Sequence, residues 1–412
     1  MHVIIIGAGI VGLTTAWQMH KDGHRVTVVE REISVGQGAS FANGAQLSYS
    51  YVAPMASRAV LGSLPKWLLK SDSPVRYVPS ADPAQWAWLV RFLAACTDAA
   101  SAANTARLLA LAWHSRDRLQ MLAHETGIAF HHARNGKLVI QSTAASQSDA
   151  EAQMALQAVM GCEQYALSPA ECLALEPGLE SVSARLAGGI HTPGEEVGDC
   201  RMLCEGLHRW LESRGVAFLL GTKASVALEG GRVVGLDTGS GRLEGDLYVL
   251  SAGIGSRELA QRIGIRMNLL PIRGYSISAP VIASNRAPVR SITDTARKTV
   301  YAPLGERLRV AGFAEIGGSD ALHLGARTER LSRELDAIFP GACGHDDLRP
   351  WAGLRPATPT GVPLVGRTRV ANLVLNLGHG ALGFTLAAGS AALLGDLVAG
   401  REPSVVAGDY AA

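Results

Sequence analysis

The hydrophobic pattern of the chain opens with an apolar run at residues 3–6, which is typical of a parallel strand buried on both faces. A helical stretch follows and ends near Gly23, and residues 26–29 form a second apolar run. Strand, helix and strand in this order predict an α/β protein that is built on a parallel sheet.

The pattern of the remaining chain predicts further helices and strands. Helices are predicted at 81–127, at 145–187 with breaks at Pro169 and Pro177, at 202–215 and at 326–338. Strands are predicted at 136–141, 188–193 and 216–220, in a hairpin of 223–228 with 232–237, and at 246–250. Residues 271–315 alternate as in an antiparallel sheet, which suits the floor of a second domain.

A glycine-rich turn lies between the first strand and its helix. In Gly7-x-Gly9-x-x-Gly12, the first glycine permits the tight turn, the second leaves room for a pyrophosphate, and the third lets the helix pack close to the strand. Glu30, at the end of the second strand, is placed to accept hydrogen bonds from an adenosine ribose. Together these features predict a bound dinucleotide, either FAD or NAD.

Two segments near the C-terminus favour FAD. Residues 351–366 hold Arg355 among glycines and prolines, and we expect a rigid loop there. Residues 373–385 again have the pattern of a strand, a glycine turn and a helix, which begins near Phe384. The positive end of that helix is a natural acceptor for the negative N1–C2=O edge of a reduced flavin.

The composition is that of a globular protein. The chain has 412 residues, of which 48% are apolar and 18% are charged, so it can form two domains with full cores. Its net charge of +2 gives no reason to expect a nucleic-acid partner. The six cysteines form no C-x-x-C pair, and we expect free buried thiols in a reducing compartment and no metal site.

The N-terminus leads directly into a strand, so no signal peptide is expected, and no apolar stretch is expected to reach the length of a membrane span. Residues 85–95 nonetheless contain one charge and three large aromatic side chains, and 65–70 lie upstream. This stretch is either a buried helix or a surface patch that docks on a bilayer or a partner subunit. We therefore expect a cytoplasmic protein and leave open a peripheral contact with the inner face of the cytoplasmic membrane.

Four segments of the chain resemble the D-amino acid dehydrogenase small-subunit type, within the D-amino acid oxidase and glycine oxidase group of flavoproteins. They are the N-terminal fingerprint with Glu30, residues 40–48, residues 353–358 and residues 378–385. The resemblance implies a Rossmann-like FAD-binding domain and a second, mixed-sheet substrate domain. It also implies noncovalent FAD, oxidation of the Cα–N bond of an amino acid to an imine, and transfer of the electrons to a quinone or another carrier. Water then gives the 2-oxo acid and ammonia.

The pattern also predicts where the chain divides into domains. We expect the FAD-binding domain to comprise residues 1–60, 200–265 and 345–412. The substrate domain is then expected to comprise residues 61–199 and 266–344.

The sequence departs from this family at two places. Tyr49-Ser-Tyr51 stands where related dehydrogenases usually carry a proline-glycine pair, and Thr360 stands where an aspartate is common. The two tyrosines are in a position to reshape the substrate pocket, so the resemblance does not fix the substrate's side chain.

The chemistry needs a cation for the substrate carboxylate and groups that orient the substrate. Arg355 matches the carboxylate-binding arginine of the glycine oxidase type, with bracing of a loop as the alternative role. Tyr51 and Tyr275 are candidates to orient the substrate, or else half-buried strand residues, and Arg273 is a weaker second cation. His379 either assists proton removal from the amine or holds a backbone contact in its turn.

The predicted FAD contacts lie in the glycine turns and in the segments beside them. They are Gly7, Gly9, Gly12, Glu30, Arg31, Ser40, Asn43, Gln46, Val226, Gly253, Gly378, Gly380, Gly383 and Thr385. Val226 is expected to meet the adenine through backbone atoms.

The sequence and the resemblance together predict an FAD-dependent D-amino acid dehydrogenase that transfers a hydride from the substrate Cα to flavin N5. Within the same chemistry, a D-hydroxyproline dehydrogenase and a glycine or sarcosine oxidase remain open. From another class, a flavin-carrying electron-relay subunit of a heteromeric complex remains open. The preferred D-amino acid, the electron acceptor and the oligomeric state are not encoded in any motif.

Overall fold

A computed structural model of the protein describes residues 1–62, 64, 73–317 and 324–411. Most strands of this described chain belong to two large sheets, one of six strands and one of nine. Residues 65–70, which the sequence associates with a docking patch, lie outside the described residues.

The six-stranded sheet is the parallel sheet that the N-terminal pattern predicts. Its strands follow the spatial order Leu364–Arg367, Leu373–Leu377, Leu247–Leu250, His2–Ile6, Arg25–Val29 and Ala217–Leu219. Only the first of these pairs antiparallel to its neighbour. Because three adjacent strands, His2–Ile6, Leu247–Leu250 and Leu373–Leu377, run parallel, the turns that follow them meet at one edge of the sheet.

Both faces of this sheet are covered, which explains the unbroken apolar run of its first strand. Val3 and Ile5 pack on one side, and Ile4 and Ile6 pack on the other. One side is covered by four helices, Ile10–Lys21, Asp98–Thr126, Cys200–Glu212 and Gly383–Ala399. The other is covered by a small sheet of Ala224–Glu229, Arg232–Thr238 and Gly241–Leu243, which confirms the predicted hairpin.

The nine-stranded sheet is mixed. In spatial order it contains Arg349–Ala357, Leu270–Pro280, Arg307–Gly317, Thr299–Leu304, Ser291–Asp294, Lys137–Gln141, Gly188–Thr192 and Tyr165–Leu167, and Val75–Val78 pairs with Arg307–Gly317. The pairings within 270–317 are antiparallel, as the alternation predicts. Ser291–Asp294 pairs parallel with Lys137–Gln141, which brings a distant part of the chain into the same sheet.

Two local predictions are wrong. A short strand, Tyr165–Leu167, interrupts the region predicted as helical, because it pairs with Gly188–Thr192 at the end of the sheet. Arg355 lies in the strand Arg349–Ala357 and not in a rigid loop, since that segment pairs along its length with Leu270–Pro280. The predicted domain division stays a prediction, although Arg349–Ala357, expected with the FAD-binding residues, pairs within the nine-stranded sheet.

The remaining helices are local in origin. The region predicted at 81–127 consists of Pro83–Ala95 and Asp98–Thr126, whose starts are capped by the side chains of Asp82 and Thr97. Gly127 ends the second of them with a positive φ of 65°. The others are Arg58–Leu61, Ala144–Ala158, Pro169–Leu175, Ser256–Arg262 and Gly325–Ile338, with a 3₁₀ helix at Pro177–Arg185.

The helix Pro83–Ala95 has both a buried and an exposed apolar face. Trp88 and Phe92 are buried in the core, as the first of the two interpretations expects. Trp86, Val90 and Leu93 are exposed on the other face. The contact with a membrane or a partner subunit therefore stays a prediction.

One helical segment of the described chain, Gly380–Ala399, is long and apolar enough to span a membrane by length and composition. This corrects the expectation that no apolar stretch reaches such a length. The segment is two-thirds buried inside the protein. It packs against neighbouring helices, because Ala387 accepts a hydrogen bond from Thr14 and Gly389 donates one to Ser115.

Candidate functional site

The three turns at the edge of the parallel sheet depend on their glycines. Gly7 has a φ of 109°, and a Cβ there would lie 2.6 Å from the carbonyl oxygen of Ser251. A Cβ on Gly12 would lie 1.9 Å from the carbonyl oxygen of Gly7. The first and second turns therefore approach each other so closely that side chains are excluded, while Gly253 continues the second turn with a φ of 57°.

Glu30 and Ser40 surround the start of the first helix. The Glu30 carboxylate accepts hydrogen bonds from the amides of Ala8, at 2.7 Å, and Glu32, at 3.0 Å. Ser40 Oγ accepts a hydrogen bond from Ile10 N at 3.0 Å. The predicted acid and the predicted serine thus both lie at the glycine turn, where they define the entrance to the helix N-terminus.

Gly9 leaves this entrance open. Its φ of −76° suits any residue, and the one atom that a Cβ would meet within 4 Å is Ser40 Oγ, at 3.4 Å. Arg31 points into solvent and pairs with Glu32, and Val226 packs on the cluster that contains Val29. An adenine dinucleotide fits this edge, since the acid, the open glycine and the helix N-terminus lie together.

The segment 40–48 connects the glycine turn to the C-terminal helix. Asn43 Oδ1 accepts a hydrogen bond from Ala45 N, and Arg309 binds the carbonyl oxygen of Asn43 at 2.9 Å. At the end of the segment, Ser48 N donates to Thr385 Oγ1 at 3.1 Å. The structure therefore brings the segment that holds Asn43 into contact with Thr385, although 337 residues separate Ser48 from Thr385.

The third turn has the geometry that a helix N-terminus requires. Gly378 and Gly380 have φ values of 84° and 55°, and the helix Gly383–Ala399 begins directly after them. Gly383 and Thr385 lie in its first turn. Their amides and the positive end of the helix dipole face the same edge of the sheet as Gly9, so the third turn fits the ring end of a flavin.

His379 in this turn is a buried, neutral histidine. Its Nε2 lies 2.9 Å from Ser390 Oγ, whose own proton is used to donate to the carbonyl oxygen of Ala387. Nε2 therefore carries the proton and donates, and Nδ1 has a free lone pair with no hydrogen-bond partner among the described residues. Burial lowers the pKa of His379 to about 3, so the ring is uncharged at physiological pH.

The buried state of His379 makes a prediction for acid stability. The pKa is lower in the folded chain than in the unfolded one, so the unfolded state takes up the proton first and stability falls as the pH drops below about 6.5 toward 3. Between pH 7.5 and pH 5.5 the free energy of unfolding should fall in both proteins. We expect the fall to be about 1 kcal/mol smaller in His379→Asn than in the wild type. Denaturant unfolding at both pH values measures it, with the exposed His345→Asn as the control. Equal losses in the wild type and His379→Asn would contradict the assignment.

Arg355 presents a guanidinium that has no counter-ion among the described residues. A Cβ on Gly274 would lie 2.3 Å from Arg355 Nη2, so the side chain lies flat over that glycine, and Nη1 donates to the carbonyl oxygen of Phe313 at 3.4 Å. Arg355 forms no salt bridge among the described residues, and burial lowers the pKa of its guanidinium. An enclosed cation that lacks a protein anion is suited to bind an anionic ligand.

Arg355 and the third turn line one cavity of 130 Å³. The third turn and the start of its helix, residues 378–385, are called the flavin turn below. His379 and Gly380 of the flavin turn form one side of the cavity, and Arg355 contributes the charge. Most of its other walls are apolar, from residues such as Ala53, Met55, Phe92, Ile272 and Ala314. The structure thus brings together two of the predicted catalytic residues, Arg355 and His379.

Tyr275 and Arg273 lie elsewhere. Tyr275 is buried in the core of the second sheet, and its hydroxyl donates to Glu315 Oε2 at 2.7 Å. Burial, followed by the charge of Glu315, raises the pKa of Tyr275 to about 12. Arg273 lies 3.6 Å from the same carboxylate, which Arg327 also contacts. Neither residue lines the cavity of Arg355, and their roles toward substrate stay predictions.

Tyr51 contacts a buried charge that the sequence analysis missed. The residue is 44% exposed, and its ring centroid lies 4.1 Å from the Nζ of Lys137. Lys137 Nζ donates to Gln46 Oε1 at 3.1 Å and to Ser48 Oγ at 3.0 Å. The one sequence signal for this residue was a lysine at the start of an otherwise apolar strand, Lys137–Gln141.

The fold and the site together define a flavin-dependent oxidoreductase. The chain belongs to the FAD dependent oxidoreductase family, whose family model matches residues 2–397. FAD is therefore the cofactor, and the family predicted from the four segments is confirmed.

Two relatives make the comparison more specific. The chain is 47% identical over 423 aligned residues to a D-amino acid dehydrogenase 2 of Ralstonia nicotianae, with 100% of this chain and 99% of that protein covered. It is also 47% identical over 406 residues to a D-amino acid dehydrogenase 2 of Pseudomonas aeruginosa, with 98% and 96% covered.

Solved structures share the fold. Glycine oxidase from Geobacillus kaustophilus superposes with a TM-score of 0.79 at 21% identity, covering 99% of this chain and 97% of that one. L-proline dehydrogenase from P. horikoshii superposes with a TM-score of 0.75 at 17% identity, covering 98% and 94%. The predicted α/β architecture, a Rossmann-like sheet with a second mixed sheet, is confirmed.

Proposed function

We propose that this protein catalyses the FAD-dependent oxidative deamination of D-amino acids to 2-oxo acids and ammonia, and that it passes the electrons to a quinone or another non-oxygen acceptor. The observation that carries the proposal is the Arg355 guanidinium, which lies in one cavity with the flavin turn and has no carboxylate partner in the part of the chain that the structure describes. The full-length relatives named D-amino acid dehydrogenase 2 support the same substrate class.

Arg355 binds the substrate carboxylate in this proposal. Its planar fork matches a carboxylate with two parallel hydrogen bonds, which fixes the orientation of Cα as well as its position. The strand that carries Arg355 is held along its length by Leu270–Pro280, so the guanidinium is presented from a rigid element and not from a mobile loop.

The apolar walls and His379 act on the amine end of the substrate. The walls exclude water and so strengthen the pairing of the carboxylate with Arg355. His379 adds no charge to compete with Arg355, because its pKa is lowered to about 3 by burial. Its unprotonated Nδ1 can accept but not donate a hydrogen bond, and the assisting role predicted for His379 stays a prediction.

The products define how the Cα–N bond of the substrate is oxidised and then hydrolysed. FAD held at these turns would supply the two-electron oxidation, in which the substrate loses a hydride from Cα and one proton from the neutral amine. The resulting imine adds water and releases ammonia, which leaves the 2-oxo acid. This chain's residues orient the carboxylate, keep water away from Cα until the hydride has left, and hold the flavin turn in place.

An anaerobic absorbance titration tests the function. We expect D-amino acids, and not their L-enantiomers, to bleach the FAD absorbance of the purified protein, and we expect a quinone to restore it faster than oxygen does. Bleaching by cis-4-hydroxy-D-proline without bleaching by D-alanine points to a D-hydroxyproline dehydrogenase. Rapid reoxidation by oxygen with release of peroxide points to an oxidase. A yellow protein that no amino acid reduces contradicts the proposal and favours an electron-relay subunit.

The site of action is part of the same proposal. A quinone acceptor dissolves in the bilayer, so we place the protein at the inner face of the cytoplasmic membrane through a peripheral contact. The exposed side chains of Trp86, Val90 and Leu93 support this placement, because they form an apolar face on the helix Pro83–Ala95.

A further inference from the structure

A buried ammonium group lies beneath the segment that connects the glycine turn to the flavin turn. Lys137 is 1% exposed, and its Nζ donates to Gln46 Oε1 at 3.1 Å and to Ser48 Oγ at 3.0 Å. Gln46 is one of the predicted FAD contacts. The charge therefore lies one side chain away from a residue that is expected to contact the cofactor.

The segment 46–48 also contacts the flavin turn through a backbone amide. Ser48 N donates to Thr385 Oγ1, in the first turn of the helix Gly383–Ala399. Gln46 Nε2 donates to Ser291 Oγ at 2.5 Å, on a strand adjacent to that of Lys137. Lys137 thus ties the segment 46–48 to the second sheet on one side, while Thr385 ties it to the flavin turn on the other.

The charge of Lys137 is only partly balanced. The buried Glu195 carboxyl acts on Lys137 without forming a salt bridge with it, and burial raises the pKa of that carboxyl. Its Oε1 accepts a hydrogen bond from Ser50 N at 2.7 Å. The ring of Tyr51 covers the ammonium on its other side. Burial lowers the pKa of Lys137 to about 8, with Glu195 opposing the shift, so the group is mainly protonated at pH 7.

Stabilisation of the fold is a poor explanation for the buried ammonium of Lys137. Burying the ammonium costs more free energy than burying an apolar side chain of the same volume, and no salt bridge to Lys137 among the described residues offsets that cost. Polar contacts on Gln46 and Ser48, by contrast, fix the segment that lies beside the cofactor. A positive charge in such a low-dielectric environment also favours additional negative charge nearby.

We propose that Lys137 is a positioning residue that holds Gln46 and Ser48 in place, and that its ammonium raises the reduction potential of FAD bound beside them. Reduction adds negative charge to the flavin. The buried cation therefore stabilises the reduced flavin more than the oxidised flavin. The inference rests on the placement of FAD between the segment 40–48 and the turn 378–383, and it does not require a D-amino acid as the substrate.

The test is the midpoint potential of the FAD-loaded protein, measured anaerobically against a reference dye at pH 7. In Lys137→Met we expect the two-electron reduction equilibrium to shift at least about tenfold toward the oxidised flavin, which is about 30 mV in potential. Lys137→Arg, which keeps the charge, should retain most of the wild-type potential. The exposed Lys298→Met is the matched control and should leave the potential unchanged.

Each outcome decides the question. Equal potentials in the wild type and Lys137→Met overturn the inference, even if FAD binds more weakly. If Lys137→Met yields no holoprotein, Lys137→Gln replaces it, because glutamine keeps hydrogen bonding without the charge, and the same shift is expected. A shifted potential in a protein that no D-amino acid reduces would refute the proposed function and leave this inference standing.

Discussion

Replacing Arg355 by alanine is expected to lower kcat/KM for D-amino acids about a thousandfold, or about 4 kcal/mol, mainly through a higher KM. The guanidinium has no carboxylate partner among the described residues, so its removal takes away the counter-charge of the substrate and leaves the protein's own ion pairs intact. Steady-state kinetics with a quinone analogue measures the effect. The FAD spectrum should be unchanged, because Arg355 belongs to the substrate side of the cavity.

Two further variants sharpen this result. Arg355→Lys keeps the charge but loses the two-pronged geometry, so an intermediate loss is expected. Arg349→Ala is the matched control, since Arg349 lies in the same strand but is exposed and pairs with Asp347 at the surface. Near-normal kinetics for Arg355→Ala would show that the residue only braces the strand.

Replacing Gly9 by valine is expected to abolish stable FAD binding and yield a colourless protein. The backbone of Gly9 accepts any residue, and its Cβ would lie at an ordinary distance from Ser40 Oγ, so the apoprotein should fold. The side chain would instead fill the space through which the pyrophosphate approaches the helix N-terminus. We expect the affinity for FAD to fall at least about a hundredfold, or about 2.7 kcal/mol.

Titration of the apoproteins with FAD measures this affinity, and denaturant unfolding checks that the fold is intact. Gly408→Val is the matched control, because a Cβ there meets no atom within 4 Å and the residue is remote from the glycine turns. A Gly9→Val protein that retains FAD with wild-type affinity would place the cofactor elsewhere.

The parts of the fold that the sequence predicted are those with a local cause. The unbroken apolar run of the first strand is typical of a strand buried on both faces, and Ile5 and Ile6 do pack on opposite sides of the sheet. The spacing of Gly7 and Gly12 reflects a contact within the turn itself, because a Cβ on Gly12 would meet the carbonyl oxygen of Gly7. Such features can be recognised without knowledge of the rest of the molecule.

The error at Arg355 has a physical reason. Glycines and prolines around it are typical of a loop, and Pro350 and Pro356 cannot donate to a ladder. Arg349–Ala357 is, however, the outermost strand of its sheet, with a partner on one side only. An edge strand tolerates proline because the missing N–H can face away from the partner. The sheet order, which decides this, depends on residues far away in the sequence.

Lys137 and Tyr275 show the same limit. A lysine at the start of a strand is usually solvated, and its burial here results from the segment 46–48, about 90 residues earlier in the chain. The pairing of its strand directs the hydroxyl of Tyr275 to Glu315, which local sequence does not reveal, and its role toward the substrate stays a prediction. Long-range packing, and not local composition, decides which polar side chains reach the cavity.

The most direct test of the account is to mix the FAD-loaded protein anaerobically with one D-amino acid and to count the products. The account predicts one equivalent of 2-oxo acid and one of ammonia for each FAD that is bleached, with none from the L-enantiomer. A flavin that stays oxidised with every D-amino acid, in a protein whose FAD is fully bound, would contradict it.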